Sequence, residues 1–208
     1  MKFADFAPFV QPEAPGAPIF VIERAVREAA IELCQRTDVW KADPERLQIV
    51  AGVIDYDLSA PSGAEVAHIL DLQRDGASLN KVGNFLELYQ RLGNDTIREQ
   101  PWWYTATDNA AIKVARRPKE AEELTLFLSF KPDSTATSIP DAIGREYRKT
   151  ISTGAIAMLL LMNGQPWSNG QLGLLNKQLF DRQVGTIARQ AKFGFSGASI
   201  RVKPRPFV

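Results

Sequence analysis

Residues 138–162 read SIPDAIGREYRKTISTGAIAMLLLM, and this stretch decides the fold. Its apolar side chains recur at helical spacing over roughly five turns, which predicts a long helix with one apolar face. The opening Ser138-Ile139-Pro140-Asp141 resembles a capping box with proline in the first turn. Such a face must be buried against other helices. The residues that define it are Ile143, Tyr147, Ile151, Ala155, Met158 and Met162.

Two further helices are predicted as its partners. After the short loop Asn163–Trp167, the stretch Ser168–Gln171 resembles a second capping box and starts a final helix. A short loop between two long helices forces an antiparallel hairpin. Near the start of the chain, a helix is predicted from Pro18 to about Arg36. The inward residues predicted for the final helix are Leu172, Leu175, Leu179, Val184, Ile187 and Ala191, and those of the first are Ile22, Val26, Ala29, Ala30 and Leu33.

Between these helices the hydrophobic period changes to that of strands. Asp75-Gly76 is a dipeptide typical of a hairpin turn. A short helix is predicted from Lys81 to Leu92, with Asn80 as its cap. The predicted strands are two short ones on either side of Gly52, then Val66–Leu72, Trp102–Thr107, Ile112–Ala115 and Leu124–Lys131.

The order helix, strands, helix, helix predicts an α+β chain that is mainly α. We expect a bundle of long helices, made of the first helix and the C-terminal antiparallel hairpin, with a small inserted β-rich module. An extended arm follows. The predicted units are residues 1–44, with the lead-in and first helix, 45–135, the β module, 136–193, the hairpin, and 194–208, the arm.

Composition excludes several classes of protein. A chain of 208 residues that is 45% hydrophobic can bury a core, and its one cysteine allows no internal disulfide. Residues 1–11 lack the apolar segment of a signal peptide, and the longest apolar run, Ile156–Met162, is too short to span a bilayer. We therefore expect a soluble protein made in the cytosol.

Charge is distributed unevenly along the chain. From Arg182 onward there are six basic residues and no acidic ones. Because the whole chain carries +1, residues 1–181 carry −5. Such asymmetry is typical of a segment that meets an acidic partner or nucleic acid.

Few residues offer catalytic or metal chemistry. His68, the only histidine, lies in a predicted strand, and Cys34 lies in an amphipathic helix where a small buried side chain is the ordinary interpretation. One histidine and one cysteine do not make the usual zinc sites. Asp55, Asp57 and Asp71 could gather around a hard cation, but solvent-facing carboxylates on a strand are the simpler interpretation. We expect no catalytic residue, no metal and no cofactor.

Two other motifs have structural interpretations. The loop Gly164–Gly170 has the length of a phosphate-binding loop but lacks the Lys-Ser/Thr pair and joins two helices. Trp102, Trp103 and Tyr104 could stack on bases, but no basic residue interleaves with them, which favours packing in a core or an interface.

The C-terminal arm carries the sharpest signal. Apolar and basic residues alternate in it, which favours addition to a sheet edge or docking in a groove of a partner over simple solvation. A solvated terminus is the plain alternative. The candidate partner-binding residues are Ile200, Arg201, Val202, Lys203, Arg205 and Phe207.

Several stretches, in this order, resemble the head–tail connector (portal adaptor) proteins of tailed bacteriophages. The likeness covers most of the chain, although each piece consists of packing and turn residues. The stretches are Ile31–Trp40, Pro101–Thr105, Phe130-Lys131-Pro132, Pro140-Asp141 with Tyr147, Gly154–Leu159 and Gly164–Asn169.

The resemblance implies a structural virion protein without enzymatic activity. Such adaptors form a homo-oligomeric ring, usually of twelve copies, between the portal protein and the tail proteins, and the ring continues the DNA channel used in ejection. The arm would then bind the portal, and the protein would lie in the virion neck after assembly in the host cytoplasm. The alternatives are another neck protein such as a stopper, a nucleic-acid-binding helical module using the basic end, and an enzyme relying on His68.

Overall fold

The computed structural model describes residues 1–83, 86, 87, 90, 101, 103–106, 110–115 and 117–193. About 42% of the chain is helical and 27% is in strands, with two four-stranded sheets and five α-helices in these residues. The fold is therefore mixed α/β, and the prediction of a mainly α chain with a small β module is wrong. The helical hairpin is long, but the inserted strands build two complete sheets, which the sequence pattern underestimates.

The α-helices with defined bounds lie towards the two ends of the chain, while Leu86, Glu87 and Gln90 in the middle are also helical. A 3₁₀ turn, Phe3–Phe6, comes first. The helices with defined bounds are α1 (Ala7–Val10), α2 (Ile19–Thr37), α3 (Asp141–Glu146), α4 (Arg148–Leu160) and α5 (Gly170–Phe193).

Helix α4 is the centre of the bundle and is buried along nearly its whole length against α2 and α5. Gly154 allows this close approach, because a Cβ at this position would lie 2.8 Å from the Phe180 ring and 3.0 Å from Ala29 Cβ. Two ion pairs then join α2 to α5 along the edge of the bundle: Lys177 Nζ lies 2.8 Å from Glu32, and Arg36 Nη1 lies 2.5 Å from Asp181. From the first ion pair to the second, the residue number rises by four on both helices, so α2 and α5 run in the same direction.

Three details of the helix ends differ from prediction. The long helix predicted from residue 141 is divided at Tyr147. The ψ of this residue is 18°, which departs from the α-helical value and separates α3 from α4. No side chain caps α3, because Ser138 is held in a bridge with Lys2 and the Asp141 carboxylate pairs with the amino group of Met1. Asn169, one residue after the predicted Ser168, caps α5 by accepting a 3.1 Å hydrogen bond from the Leu172 amide.

In the described part of the chain, eight strands form two sheets. The strands are β1 (Glu45–Ile49), β2 (Asp55–Asp57), β3 (Ala64–Arg74), β4 (Ala77–Ser78), β5 (Asn80–Lys81), β6 (Trp103–Ala106), β7 (Ala111–Ala115) and β8 (Glu122–Pro132). One sheet has the order β1-β8-β3-β4 and is antiparallel throughout. The other has the order β2-β7-β6-β5, in which only β5 and β6 run parallel. Apolar side chains of both sheets form one core that includes Tyr56, Leu72, Tyr104, Ile112 and Phe130.

The strand predictions are confirmed where the structure describes them. Asp75 and Gly76 have φ of 48° and 80°, the left-handed pair that a two-residue hairpin turn requires. Asn80 and Lys81 form β5 instead of starting the predicted helix 81–92. Within that range Leu86, Glu87 and Gln90 are helical, and residues 84, 85, 88, 89, 91 and 92 lie outside the described residues.

Trp40 joins the helical core to the sheet core. Its side chain packs against both clusters, and its ring meets Phe130 edge-on with the centroids 6.2 Å apart. Its carbonyl accepts a 2.7 Å hydrogen bond from the Phe130 amide. The sheets are therefore anchored to the bundle directly after α2 ends.

Candidate interaction surfaces

The outer side of α5 carries a row of exposed leucines. Leu174, Leu175 and Leu179 are 59%, 61% and 41% exposed, although the sequence pattern predicts Leu175 and Leu179 as inward. Val184 and Ile187 are buried as predicted, and Gly173 and Phe180 complete the side that faces the bundle. We call Leu174, Leu175 and Leu179 the leucine face.

Gly173 explains why α5 is rotated relative to the prediction. A Cβ on this residue would lie 2.8 Å from Leu161 Cγ, so only glycine lets the start of α5 lie against the end of α4. With Gly173 and Phe180 turned inward, Leu175 and Leu179 must point outward. Glycine has no apolar side chain and is absent from the apolar pattern, so the Gly173–Phe180 spacing of seven is the signal that could have shown the true inner side.

A shallow depression of about 510 Å³ lies along the leucine face. Among the described residues, leucines and amides line it and no charged side chain does. This mixture suits contact with another protein surface more than the capture of a charged metabolite. The lining residues are Asn169, Gln171, Leu172, Leu174, Leu175 and Gln178.

The same side of α5 becomes basic further along. Arg182 and Arg189 follow Leu175 at intervals of seven residues, which keeps all three near one line of the helix. Both arginines are exposed, and no carboxylate in the described part of the chain forms an ion pair with either. The outer side of α5 therefore runs from apolar to basic.

A second apolar patch lies at the start of α2. Ile19 and Phe20 are 56% and 73% exposed, although they belong to the same helix as the most buried part of the core. We call these two residues the α2 tip patch.

His68 and Asp38 meet at the junction of the bundle and the sheets. The left-handed Asp38, with φ of 53°, ends α2 and lies 2.8 Å from His68 Nδ1 through Oδ1. The same oxygen accepts a 2.6 Å hydrogen bond from the buried Ser129 hydroxyl. The Ser129 hydroxyl therefore donates to the carboxylate, and at 3.4 Å to the backbone carbonyl of His68, but not to the histidine ring, which differs from the arrangement of a nucleophilic triad. The cluster pins α2 to β3 and β8.

Cys34 lies in the helical core. Burial, with a smaller effect of the nearby Asp38 charge, raises the pKa of its thiol from 9.0 to about 12. A reactive cysteine needs the thiolate near neutral pH, so this environment disfavours nucleophilic chemistry.

Two of the three aspartates weighed as cation ligands are engaged separately, and the third, Asp57, is exposed. Asp55 pairs with Lys113 at 3.0 Å, and Asp71 accepts hydrogen bonds from Ser78 and Gln73 at 2.7 Å. Over the described residues, no three acidic, histidine or cysteine side chains gather as a metal site.

The aromatic motif packs as a core element where it is described. Tyr104 is buried between the sheets, and burial raises its pKa to about 12. Trp103 is half-buried against Val82 and Ala115. Trp102 lies outside the described residues.

The C-terminal arm lies beyond the part of the chain that the structure describes, which stops at residue 193. The geometry therefore tests none of its candidate residues, which are Ile200, Arg201, Val202, Lys203, Arg205 and Phe207. None of the described helices is both long and apolar enough to cross a bilayer.

Comparison with known proteins gives no relative. No protein-family model matches the sequence, and no curated protein matches it significantly. The function has to be inferred from the residues and the surfaces described above.

Proposed function

We propose that this chain is a structural subunit of the neck of a tailed bacteriophage, the head-to-tail adaptor. Copies of it form a ring between the portal and the tail, twelve in number by resemblance, and the ring continues the channel through which DNA passes. Its role is mechanical, and DNA passes through the channel without sequence-specific binding.

The layout of the chain is the observation that carries this proposal. Helix α2 lies against α4 and α5, which follow it only after both sheets, so the helices close into one bundle and the sheets form an insertion. The resemblance to the connector proteins implies a bundle with a β insertion. The agreement is one of arrangement, because the β part is larger than expected.

Exposed surfaces of the bundle add support. A ring subunit needs faces for its neighbours, and large apolar residues on the outside of a helix mark such faces. The leucine face and the α2 tip patch both have this character.

The C-terminal arm provides the contact with the portal. Its apolar residues alternate with its basic ones from Ile200 to Phe207, which suits a strand or groove contact with an acidic surface. The described residues of α5 already present Arg182 and Arg189, so the positive charge continues from the bundle into the arm.

Deleting residues 195–208 tests this function. The truncated chain should lose capture of the portal protein in a pull-down while keeping the melting temperature of the full chain. Two matched full-length variants separate the causes: one replaces Arg201, Lys203 and Arg205 by Gln, and the other replaces Ile200, Val202 and Phe207 by Ser. We expect both variants to weaken portal capture. Capture by the variant with apolar replacements should still decrease with salt, whereas capture by the variant without the basic residues should not depend on salt.

Unchanged portal capture by the truncated chain would refute the role of the arm. Localisation in virions by electron microscopy tests the function itself. Density for the protein directly below the portal is expected. Density further down the neck would assign it to the stopper class, and its absence from virions would exclude both.

A further inference from the structure

We infer that the C-terminal arm adds to the sheet of its own chain as a further strand, parallel to β1, with its basic side chains on the face of Glu45. The receiving edge is the outer side of β1, and the occupant is the stretch of the arm from Ile200 to Arg205. This contact goes beyond the proposed function, because it forms within a single copy before any partner is bound. The portal then competes with β1 for the same arm.

Strand β1 lies at the open end of its sheet, with β8 on one side and no strand of the described chain on the other. Residue pairs in an antiparallel ladder alternate between bonded and non-bonded. Just before β1, the Phe130 amide donates to the Trp40 carbonyl, so the even-numbered residues of β8 are those that bond towards β1. The N–H and C=O groups of Arg46 and Gln48 therefore point outward from the edge. The β1 residues paired with even-numbered residues of β8 are Glu45, Leu47 and Ile49.

The arm begins beside this edge. Lys41 forms a bridge with Ser129 of β8 just before β1, and its Nζ donates a 3.1 Å hydrogen bond to the carbonyl of Ala191, near the end of α5. Six residues, 194–199, then span up to about 20 Å before Ile200, while Glu45 lies four residues, or about 13 Å, beyond Lys41. The arm can therefore reach β1 within its own chain. An arm that follows the edge from this point runs in the same direction as β1.

Two prolines decide which residues of the arm bond to β1. Proline has no N–H to give to a ladder, so in sheets it occupies edge positions that face outward. Pro204 and Pro206 are two residues apart and point the same way along a strand, so neither loses a bond when both point away from β1. There they also close the new edge against another strand. The residues that bond to β1 are then Arg201, Lys203 and Arg205.

Parallel pairing fixes the face on which these basic side chains lie. An arm residue that bonds to Arg46 and Gln48 lies beside Leu47, the residue between them, and its side chain points to the same face of the sheet. The basic side chains of the arm therefore share the face of Leu47 and Glu45. An antiparallel arm would instead pair them directly with Arg46 and Gln48, on the opposite face.

Charge favours the parallel arrangement. Glu45 and Asp57 line one depression of about 200 Å³ beside β1, and neither carboxylate forms an ion pair with a described residue. On the opposite face Arg46 already lies 2.6 Å from Glu123, so a basic strand there would meet a cation. Attraction between partly exposed charges is modest, so the docked arm is favoured only several-fold. Its removal therefore changes the melting temperature by little.

Disulfide trapping in the full-length chain tests the contact. Gln48→Cys combined with Val202→Cys places both thiols on the outer face, and a disulfide within one chain should form several-fold faster than in a control pair. The control is Ala77→Cys with Val202→Cys, because Ala77 is exposed on β4 at the opposite edge of the same sheet. Cys34 is buried and leaves the new thiols as the reactive ones. Non-reducing electrophoresis shows the product as a monomer of altered mobility.

Moving the thiol of the arm by one residue tests the direction of the strand. Gln48→Cys with Lys203→Cys should react no faster than the control pair, because residue 203 then points to the other face. Faster reaction from residue 203 than from residue 202 would indicate an antiparallel arm and overturn the inference. Equal rates from both would mean that no strand forms. Covalent dimers in place of the internal disulfide would assign the strand to another copy, which also overturns it.

Neutralising one carboxylate tests the charged face. In the Gln48→Cys, Val202→Cys chain, Glu45→Gln should slow formation of the disulfide several-fold at low salt, whereas Asp75→Asn, at the hairpin turn of the opposite edge, should not. Equal rates in these two variants would contradict the placement of the basic side chains. The portal is absent from these measurements, so their failure leaves the proposed function standing. Loss of portal capture with an intact cross-link counts against the proposed function alone.

Discussion

At the scale of single residues, the tightest constraint is the approach of the helices at Gly154. A methyl group there would lie within 3.0 Å of the Phe180 ring and Ala29 Cβ, so the surrounding side chains would have to move. Gly185, on α5, has open space around its Cα and no such contact. Alanine substitutions at the two glycines therefore separate the effect of core packing on stability from the effect of helix propensity.

We expect Gly154→Ala to be less stable than Gly185→Ala by about 1–3 kcal/mol, the usual cost of overpacking a core. Gly185→Ala itself should stabilise the protein by up to about 1 kcal/mol, because alanine is the better helix former. Urea unfolding followed by circular dichroism measures both. Equal stability of the two variants would mean that the bundle relaxes around the added methyl group.

Burial of the Cys34 thiol makes the free energy of unfolding depend on pH, and the direction follows from its raised pKa. Its pKa is about 12 in the fold against 9.0 in an exposed chain, so the unfolded state loses its proton first as pH rises. Stability is therefore complete below pH 9 and falls by about 1.4 kcal/mol per pH unit from there towards pH 12.

A comparison of the wild type with Cys34→Ala measures this effect. Between pH 8 and pH 10 the free energy of unfolding of the wild type should fall by about 1 kcal/mol more than that of the variant. Using the difference removes the contributions of tyrosines, which both proteins share. Parallel pH profiles would contradict burial of the thiol.

At the scale of elements, the sequence predicted periodic segments well and their rotation poorly. Strands β3 and β8 and helix α2 have strong patterns, and the structure confirms their type. The rotation of α5 depends on Gly173 packing against Leu161, a contact between side chains that no periodicity contains. The leucine face was hidden for this reason.

Short elements were missed for a related reason. Strands β4 and β5 have two residues each and exist because a neighbouring strand accepts them. Likewise Asp38 ends α2 in a left-handed conformation and bonds Ser129, a partner distant in sequence. Tertiary contacts, not local preference, decide such positions.

The ion pair between Arg36 on α2 and Asp181 on α5 gives a prediction about how these two elements are joined. The hydrogen bond from Arg36 holds the pKa of the Asp181 carboxyl below its usual value, with Lys177 assisting. Stability from this pair is thus present above the ordinary pKa of aspartate and is lost as pH falls through the lowered one.

A double-mutant cycle with Arg36→Ala and Asp181→Ala should give a coupling of about 0.5–1 kcal/mol at neutral pH, since both side chains are partly exposed. The coupling should vanish in acid and shrink in high salt. A coupling that is unchanged in acid would mean that packing, and not charge, joins the two helices at this point.

At the scale of the whole molecule, Trp40 holds two cores together. It contacts the helical core and the sheet core, and each core is otherwise built from its own elements. Trp40→Ala should lower stability by about 3 kcal/mol, and in calorimetry we expect one unfolding transition for the wild type and two for this variant. Trp40→Phe is the control, and it should keep one transition. A single transition in Trp40→Ala would show that other contacts couple the cores.

The insertion of the sheets into the bundle also sets the order in which the chain can fold during synthesis. Helix α2 is complete by residue 37, but its partners α4 and α5 begin only at residues 148 and 170. At about 5–20 residues per second, α2 waits roughly 5–20 seconds for α4 to begin. Both sheets can form in that interval, because β8 ends at residue 132. Until α4 and α5 are made, the apolar side of α2 lacks its helical partners, and the bundle is completed only after both sheets have been translated.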